Sequence, residues 1–257
     1  MKKFALLVLL LICCSSVAFS QKGNATKQTF TINGVEFAMV YVEGGTFTMG
    51  ATSEQGSEAD DDEKPTHSVT LSSYYIGETE VTQALWQAVM ENNLYRFKGD
   101  NLPVKQVSYE DIQKFITKLN QKTGKTFRLP TEAEWEFTAR GGKKSKGYKY
   151  SGSNNIDDVA WYEGNSNNKT HPVKTKRPNE LGIYDMSGNV WEWCSDWWGG
   201  YSSNAQTNPQ GPSSGSRRVF RGGSWLDNEW YCRLSYHNGI NPSYRNSDLG
   251  FRLALAL

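Results

Sequence analysis

Three side chains that could do chemistry lie close together near the C-terminus: Ser224, Asp227 and Cys232. Cys232 and Cys194 are the only cysteines after residue 14, and thiolates are the ligands that soft metal ions prefer. Ser224 follows two glycines, but Leu226 stands where the Gly-x-Ser-x-Gly motif of serine hydrolases needs its last glycine. The spacing therefore does not predict a serine hydrolase.

Zinc, phosphate and nucleic-acid chemistry lack sequence support. The histidines, His67, His171 and His237, do not have the spacing of a zinc site, and His237 is interpreted as a polar surface or packed residue. The glycines are not followed by the Lys-Ser/Thr of a phosphate-binding loop. Without residues 1–20, 26 basic side chains face 27 acidic ones, a net charge of −1. Such a balance gives no electrostatic footprint for nucleic acid or an anionic membrane, so neither is an expected partner.

The chain begins with the pattern of a bacterial signal peptide. A basic start is followed by apolar residues 4–12, too few to span a bilayer, and by small residues before Gln21. Cleavage after residue 20 and export to the periplasm, the cell surface or the medium are expected. The alternative, a lipid anchor at Cys13 or Cys14, is disfavoured because no small residue precedes either cysteine. No other apolar segment predicts a membrane span.

One domain is predicted to position these residues. Polar residues 21–29 are expected to be a disordered leader, followed by a domain over residues 30–257. Asn33-Gly34 predicts a β-hairpin turn, and residues 69–76 alternate as a strand. The acidic run at residues 54–63 is interpreted as a solvated loop. The 24 glycines and nine tryptophans indicate a loop-rich domain with an aromatic core.

Capping residues predict three helices and hence an α+β domain. Each begins after a side chain that can accept a backbone N–H group, and two of them have a carboxylate three residues later. Glycines can close the second and third helices. The predicted helices are 83–90 after Thr82, a second from Ser108 to Gly124, and 132–140 after Thr131.

Longer motifs resemble one known family. They are GGTFTMG at residues 44–50, FRLPTEAEWE at 127–136, GIYDMSGNVWEW at 182–193 and RVFRGGSW at 218–225, followed by Cys232-Arg233 and Gly250-Phe251-Arg252. Together they closely resemble the formylglycine-generating enzyme family, also called the sulfatase-modifying factor family. The resemblance covers roughly residues 30–255 and implies an irregular, loop-rich C-type-lectin-like fold.

The resemblance also implies a copper site, which this sequence has lost. The family's oxidase holds copper(I) between two cysteine thiolates five residues apart, after the Gly-Gly-Ser-aromatic turn. Cys232 matches the second cysteine, but Asp227 stands at the first position. A carboxylate is a hard ligand and does not replace a thiolate in a two-coordinate copper(I) site. Bound copper is therefore not expected.

The segment from residue 185 to 192 predicts a calcium site. A turn containing glycine can offer backbone carbonyls beside carboxylates, and calcium needs several oxygen ligands. The resemblance implies four ligands: the Asp185 side chain, the Gly188 and Val190 carbonyls, and the Glu192 carboxylate. In the alternative reading, Asp185 caps a turn and Glu192 pairs with an arginine such as Arg252.

Cys194 and Cys232 are expected to form a disulfide. In an oxidising exported compartment two neighbouring thiols favour such a bridge, which would join the Trp-Glu-Trp turn to the Gly-Gly-Ser-Trp turn. In the alternative reading both are buried free cysteines that act as small hydrophobic side chains. The sequence does not fix the connectivity.

Three functions fit these features. The favoured one is an exported binding or accessory module for a peptide, glycan or protein partner. The second is a formylglycine-generating oxidase that converts a substrate cysteine, with Cys232 and Ser224 as its catalytic residues. The third is a structural component of a bacterial surface or secretion complex. For the favoured function, the expected groove residues are Trp191, Ser224, Trp225, Asp227 and Arg233.

Overall fold

Short strands and three helices stand among long loops in the computed structural model, which describes residues 26–57, 59–92 and 99–257. The strands are β1 (Lys27–Ile32), β2 (Val35–Val42), β3 (Gly45–Met49), β4 (His67–Leu71), β5 (Tyr74–Gly77), β6 (Phe127–Arg128), β7 (Trp191–Trp197), β8 (Gln206–Thr207), β9 (Arg218–Arg221), β10 (His237–Ile240), β11 (Leu249–Gly250) and β12 (Ala254–Leu255). The helices are α1 (Gln83–Met90), α2 (Tyr109–Thr123) and α3 (Glu132–Ala139).

The predicted N-terminal hairpin is confirmed. Strands β1 and β2 pair antiparallel, with Ile32 opposite Val35. Asn33 and Gly34 between them have φ values of 48° and 83°, the left-handed backbone that a two-residue hairpin turn of matching twist requires. Because β1 starts at Lys27, the first strand begins three residues before the predicted start of the domain at residue 30. The predicted signal peptide lies outside the described residues.

The strands form three sheets. The first has the order β1-β2-β5-β12-β6, so the last strand of the chain lies between two earlier ones. The second has the order β10-β9-β7-β11, with β11 parallel to β7 and the other pairs antiparallel. The third has the order β3-β4-β8. The single strand predicted for residues 69–76 is wrong, because the chain leaves the third sheet after β4 and enters the first at β5.

The three predicted helices are confirmed. Each begins with a side-chain hydroxyl that accepts a backbone N–H group of the first turn: Thr82 for α1, Ser108 for α2 and Thr131 for α3. Gly124 ends α2 with φ 66°, and α3 ends at Ala139, one residue before the predicted end. No helix within the described ranges has the length and apolar character needed to cross a bilayer.

Aromatic side chains build much of the core, as the composition predicts. The Trp86 ring stacks on Phe115 with 5.2 Å between centroids, and Phe251 meets both rings edge-on at 6.3 and 5.4 Å. Trp135 on α3 is fully buried, and its indole N–H donates to the Glu192 carboxylate at 2.7 Å. A buried indole needs such a partner, so the core and the C-terminal motifs are connected by polar contacts as well as by packing.

The acidic run at residues 54–63 is only partly the solvated loop that the sequence predicted, because Asp60, Asp61 and Asp62 are exposed whereas Glu54 and Glu63 pair with arginines. It contains two single-turn 3-10 helices, Ser53–Gln55 and Asp61–Glu63. Glu63 is fully buried, and its carboxylate accepts from the Arg233 guanidinium at 2.6 and 2.8 Å. Glu54 pairs with Arg140 at 2.5 Å. The sequence did not reveal these two ion pairs, because the arginines that neutralise Glu63 and Glu54 lie 170 and 86 positions further along the chain.

Candidate functional site

A pocket of about 260 Å³ lies at the second sheet, among the C-terminal motifs. Four larger cavities of about 320, 340, 370 and 680 Å³ lie elsewhere among the described residues, and none of the predicted site residues lines them. The smaller pocket is therefore the candidate site. Its wall includes four aromatic rings and two carboxylates: Trp191, Phe220, Tyr231, Tyr236, Asp227 and Asp248.

Ser224 lies between the two carboxylates of the pocket. Its hydroxyl donates to the Asp227 carboxylate and lies 3.3 Å from Asp248 Oδ2, and the Trp191 side chain also donates to Asp227. Burial raises the pKa of both carboxyl groups, and repulsion from Asp248 further raises the pKa of Asp227. Ser224 itself is fully buried. It therefore positions the carboxylates and is not exposed as a nucleophile.

The surroundings of Cys232 do not fit one half of a two-thiolate copper site. The thiol is fully buried, with Sγ 3.9 Å from the Asn228 carbonyl oxygen. Burial, together with the negative charges of Asp227 and Glu229, raises the pKa of the thiol well above its usual value. A Cβ atom on Gly223, whose φ is 74°, would lie 2.6 Å from Sγ, so the turn packs directly on the sulfur. A protonated thiol beside a carboxylate does not fit the two thiolates that linear copper(I) needs.

The predicted disulfide between Cys194 and Cys232 is contradicted. Both are free, buried thiols. Cys194 on β7 packs in the cluster that contains Trp135, whereas Cys232 packs in a different cluster with Tyr150. Because each sulfur is enclosed by its own set of apolar side chains, the alternative reading of two small hydrophobic residues describes them.

The predicted groove residues are only partly brought together. Trp191 and Asp227 line the pocket. Trp225 is half-buried, with its ring centroid 5.3 Å from the Lys105 ammonium. Arg233 as a groove residue is wrong, because its fully buried guanidinium is committed to Glu63.

The Asp185 end of the predicted calcium segment has the features of an ion ligand. Gly188 has φ 80°, and a Cβ there would lie 2.4 Å from the Trp161 carbonyl oxygen, so only glycine fits this turn. Asp185 Oδ2 accepts from the Lys174 backbone N–H at 2.9 Å. Its Oδ1 is buried and has no hydrogen-bond partner among the described residues. Burial raises the pKa of Asp185 to about 6, although the hydrogen bond from the Lys174 N–H group and the charge of Arg252 act to lower it.

The Glu192 end of the segment is already occupied. Its carboxylate accepts two hydrogen bonds from Arg252, both at 2.6 Å, in addition to the one from Trp135. This is the ion pair of the alternative reading. Sequence analysis missed Glu80, which is buried nearby and accepts from the Val190 N–H at 3.2 Å. Burial, with repulsion from Asp185 and Glu192, raises the pKa of Glu80 well above its usual value.

Sequence analysis also missed most of the pocket wall, including three of its polar or aromatic side chains near the C-terminal motifs. Tyr231, Tyr236 and Asp248 stand between the motifs Cys232-Arg233 and Gly250-Phe251-Arg252 or just before them. The available signal was that these residues lie next to or between two motifs of the resembled family, which made them candidates for the same site. The strand pairing of β10 with β9 and of β11 with β7 gathers them around Trp191.

Comparison with known proteins defines the class. The family model described as "Sulfatase-modifying factor enzyme 1-like domain" matches residues 26–257, and the chain belongs to this family. Chaperone protein LppX of Paenibacillus barcinonensis is 32% identical over 98% of this chain and 99% of that protein. The formylglycine-generating enzyme of Streptomyces coelicolor is 31% identical over 93% of this chain and 94% of the enzyme.

A solved structure gives the same result for the fold. Treponema denticola variable protein 1 is similar with a TM-score of 0.83 and 36% identity, over 91% of this chain and 100% of that chain. The α+β, loop-rich C-type-lectin-like fold of the formylglycine-generating-enzyme type is thereby confirmed.

Proposed function

We propose that this protein is an exported binding or accessory module and not a formylglycine-generating oxidase. The observation that carries the proposal is the Asp227 carboxylate, held by Ser224 and Trp191 where the oxidase would need a second thiolate. The pocket beside it is lined by aromatic and polar side chains and takes a peptide, glycan or protein partner. The N-terminal leader directs it to the periplasm, the cell surface or the medium.

The names of its relatives are compatible with this proposal. Proteins of similar length and comparable identity include one named a chaperone and one named a variable protein, besides the oxidase. A shared fold therefore does not carry one activity with it. The activity depends on the residues of the site, and in this protein the site has one buried thiol and a pair of carboxylates.

The oxidase test compares the wild type with two cysteine substitutions. Wild-type protein, supplied with copper(I), oxygen and a Cys-x-Pro-x-Arg peptide, is expected to yield no formylglycine by mass spectrometry. Asp227→Cys adds the missing thiol and is expected to confer copper(I) binding, measured by competition with a copper(I) chelator, because two thiolates suit this ion.

Asp248→Cys makes the same chemical change on the neighbouring carboxylate and should not bind copper(I). The Streptomyces coelicolor enzyme serves as the positive control for conversion. Conversion of the peptide to formylglycine by the wild-type protein would contradict the proposed function.

Calcium binding is a second part of the proposal. The unpartnered Oδ1 of Asp185 supports it, with the carbonyls of Gly188 and Val190 as further ligands and Glu192 left to Arg252. Calcium at about a hundredfold above its Kd is expected to raise the Tm by roughly 5–10 °C, because it binds only the folded state. Differential scanning calorimetry with and without chelator measures this shift.

Two substitutions of Asp185 make a matched pair. Asp185→Ala removes both side-chain oxygens and should abolish the calcium-dependent shift. Asp185→Asn keeps one oxygen and should retain part of it. A Tm that does not respond to calcium in the wild type would refute this part alone and leave the binding function standing.

A further inference from the structure

The candidate pocket has an aromatic wall whose rings meet at steep angles. Trp191 and Phe220 lie 4.9 Å apart between centroids at 89°, and Tyr231 and Tyr236 lie 4.9 Å apart at 88°. Trp191 is also 6.4 Å from Tyr231 and 5.8 Å from Tyr236. Indole and phenol rings attract cations through their electron-rich faces. Such a wall suits an apolar stem that carries a positive charge.

The same pocket holds two carboxylates without a basic partner. Asp227 and Asp248 both line it, and neither forms an ion pair with a lysine or arginine in the described ranges 26–57, 59–92 and 99–257. Their side-chain donors are the neutral groups of Ser224 and Trp191. Lys105 is the cation that acts on Asp248, but its ammonium lies over the Trp225 ring, beyond ion-pair distance.

Further negative charge surrounds the pocket. Asp60 and Asp62 act electrostatically on Tyr236, and Glu229 acts on the nearby Cys232 thiol. Arg233, whose guanidinium carbon lies 5.9 Å from the Tyr236 ring centroid, is neutralised by Glu63. A carboxylate that is partly removed from water is stabilised by an opposite charge. The charge and the aromatic wall therefore select for the same kind of ligand.

We propose that this pocket binds the cationic side chain of a protein partner, the alkylammonium of a lysine or the guanidinium of an arginine. The apolar stem of that side chain packs on the aromatic wall, and its charge lies between Asp227 and Asp248. This inference rests on the proposed binding function and names its ligand class. A neutral sugar would use the rings but would leave both carboxylates without a counter-charge, so a glycan is the less favoured ligand.

The test is a titration of full-length mature protein with small probes, followed by intrinsic tryptophan fluorescence and by amide and indole chemical shifts, which locate the response at the pocket. The probes are the N-acetyl methylamides of lysine, arginine and norleucine, and methyl glycosides. Lysine and norleucine probes have the same stem but differ in charge. The two cationic probes are expected to bind at least about tenfold more tightly than norleucine, because a charge-assisted contact is worth this much. Added salt should weaken the binding of both cationic probes.

Variants of the pocket sharpen the test. Asp248→Asn is expected to weaken the cationic probes about tenfold and to leave norleucine unchanged. Asn238→Asp adds a carboxylate to the pocket wall and should tighten the binding of the cationic probes. A gain in affinity cannot result from unfolding of the variant, so it complements the loss expected for Asp248→Asn. Glu36→Gln, an exposed change on β2, is the matched control and should have no effect.

Three outcomes overturn the inference. They are equal binding of norleucine and lysine probes, binding of methyl glycosides in place of the cations, and no binding of any probe at the pocket. The first two would leave the binding function standing. The binding function has its own test, since it falls if the wild type converts the cysteine peptide.

Discussion

Glu63→Ala is expected to lower the free energy of unfolding by about 3–5 kcal/mol, because it leaves the Arg233 guanidinium buried and without a counter-charge. Both side chains are fully buried, and Glu63 accepts two hydrogen bonds from Arg233 as well as one from Ser235. Burial alone would raise the pKa of Glu63, but the hydrogen bonds from Arg233 and Ser235 hold it below its usual value. Urea unfolding at neutral pH measures the loss.

Two further variants separate charge from packing. Asp61→Asn changes a fully exposed carboxylate in the same 3-10 turn and is expected to leave stability unchanged. Glu63→Met combined with Arg233→Met removes both charges, and it should recover much of the loss because apolar side chains of similar volume can replace a buried ion pair. A Glu63→Ala protein as stable as the wild type would show that the pair does not hold the acidic segment to the C-terminal motifs.

Asp196→Asn is expected to stabilise the protein above pH 7, by up to about 4 kcal/mol. Asp196 on β7 is buried and accepts the Glu132 backbone N–H at 3.0 Å at the start of α3. Burial, with repulsion from the Glu132 carboxylate, raises the pKa of Asp196 from 3.8 to about 7. At about 1.4 kcal/mol per pKa unit, this difference gives the upper limit of the effect. Asparagine keeps an oxygen for the Glu132 N–H and carries no charge.

The sign of the pH dependence follows from the raised pKa. Between pH 4 and pH 7 the unfolded chain releases the Asp196 proton while the folded protein retains it, so this carboxyl group makes stability fall as the pH rises. Asp185, with a pKa of about 6, acts in the same direction. The difference in unfolding free energy between Asp196→Asn and the wild type should therefore grow from pH 4 to pH 7 and then level off.

Glu132 acts in the opposite direction and in another pH range. Burial would raise its pKa, but His237, whose Nδ1 lies 2.6 Å from its carboxylate, together with Arg221 and Tyr201, lowers it to about 2. Its contribution is lost only as the pH falls below about 4.5 toward 2. Parallel stability profiles for Asp196→Asn and the wild type between pH 4 and 8 would refute the role given to Asp196. Asp61→Asn is the matched control for this series.

Local signals allowed part of the fold to be predicted. Ser108 and Asp111 satisfy each other's backbone groups within three residues, and Asn33-Gly34 needs nothing beyond its own backbone to turn the chain. The motifs around Gly188 and Gly223 were also readable, since each glycine avoids a contact below 3 Å that any side chain would make. The capping box and the hairpin turn depend on neighbours in sequence, whereas the two glycines make room for Trp161, 27 positions earlier, and for Cys232, nine positions later.

The candidate site was predicted less completely because its contacts span the chain. Arg233 forms an ion pair with Glu63, which lies 170 positions earlier in the chain. Glu192 forms an ion pair with Arg252, which lies 60 positions later. The two cysteines were expected to meet, but each fills a different apolar cluster. Residue type alone could not distinguish a buried ion pair from a groove or a metal ligand.

The sequence by itself determined the family, the hairpin, the helix caps and the replacement of a copper thiolate by Asp227, because each is a matter of residue identity or of bonds within a few positions. Only the tertiary structure decided which carboxylates are neutralised and which are not. It buries Glu63 and Glu192 against arginines and places Asp227 and Asp248 together in an aromatic pocket. Charge compensation depends on distances between residues far apart in sequence, and these distances are set by the packing of the whole chain.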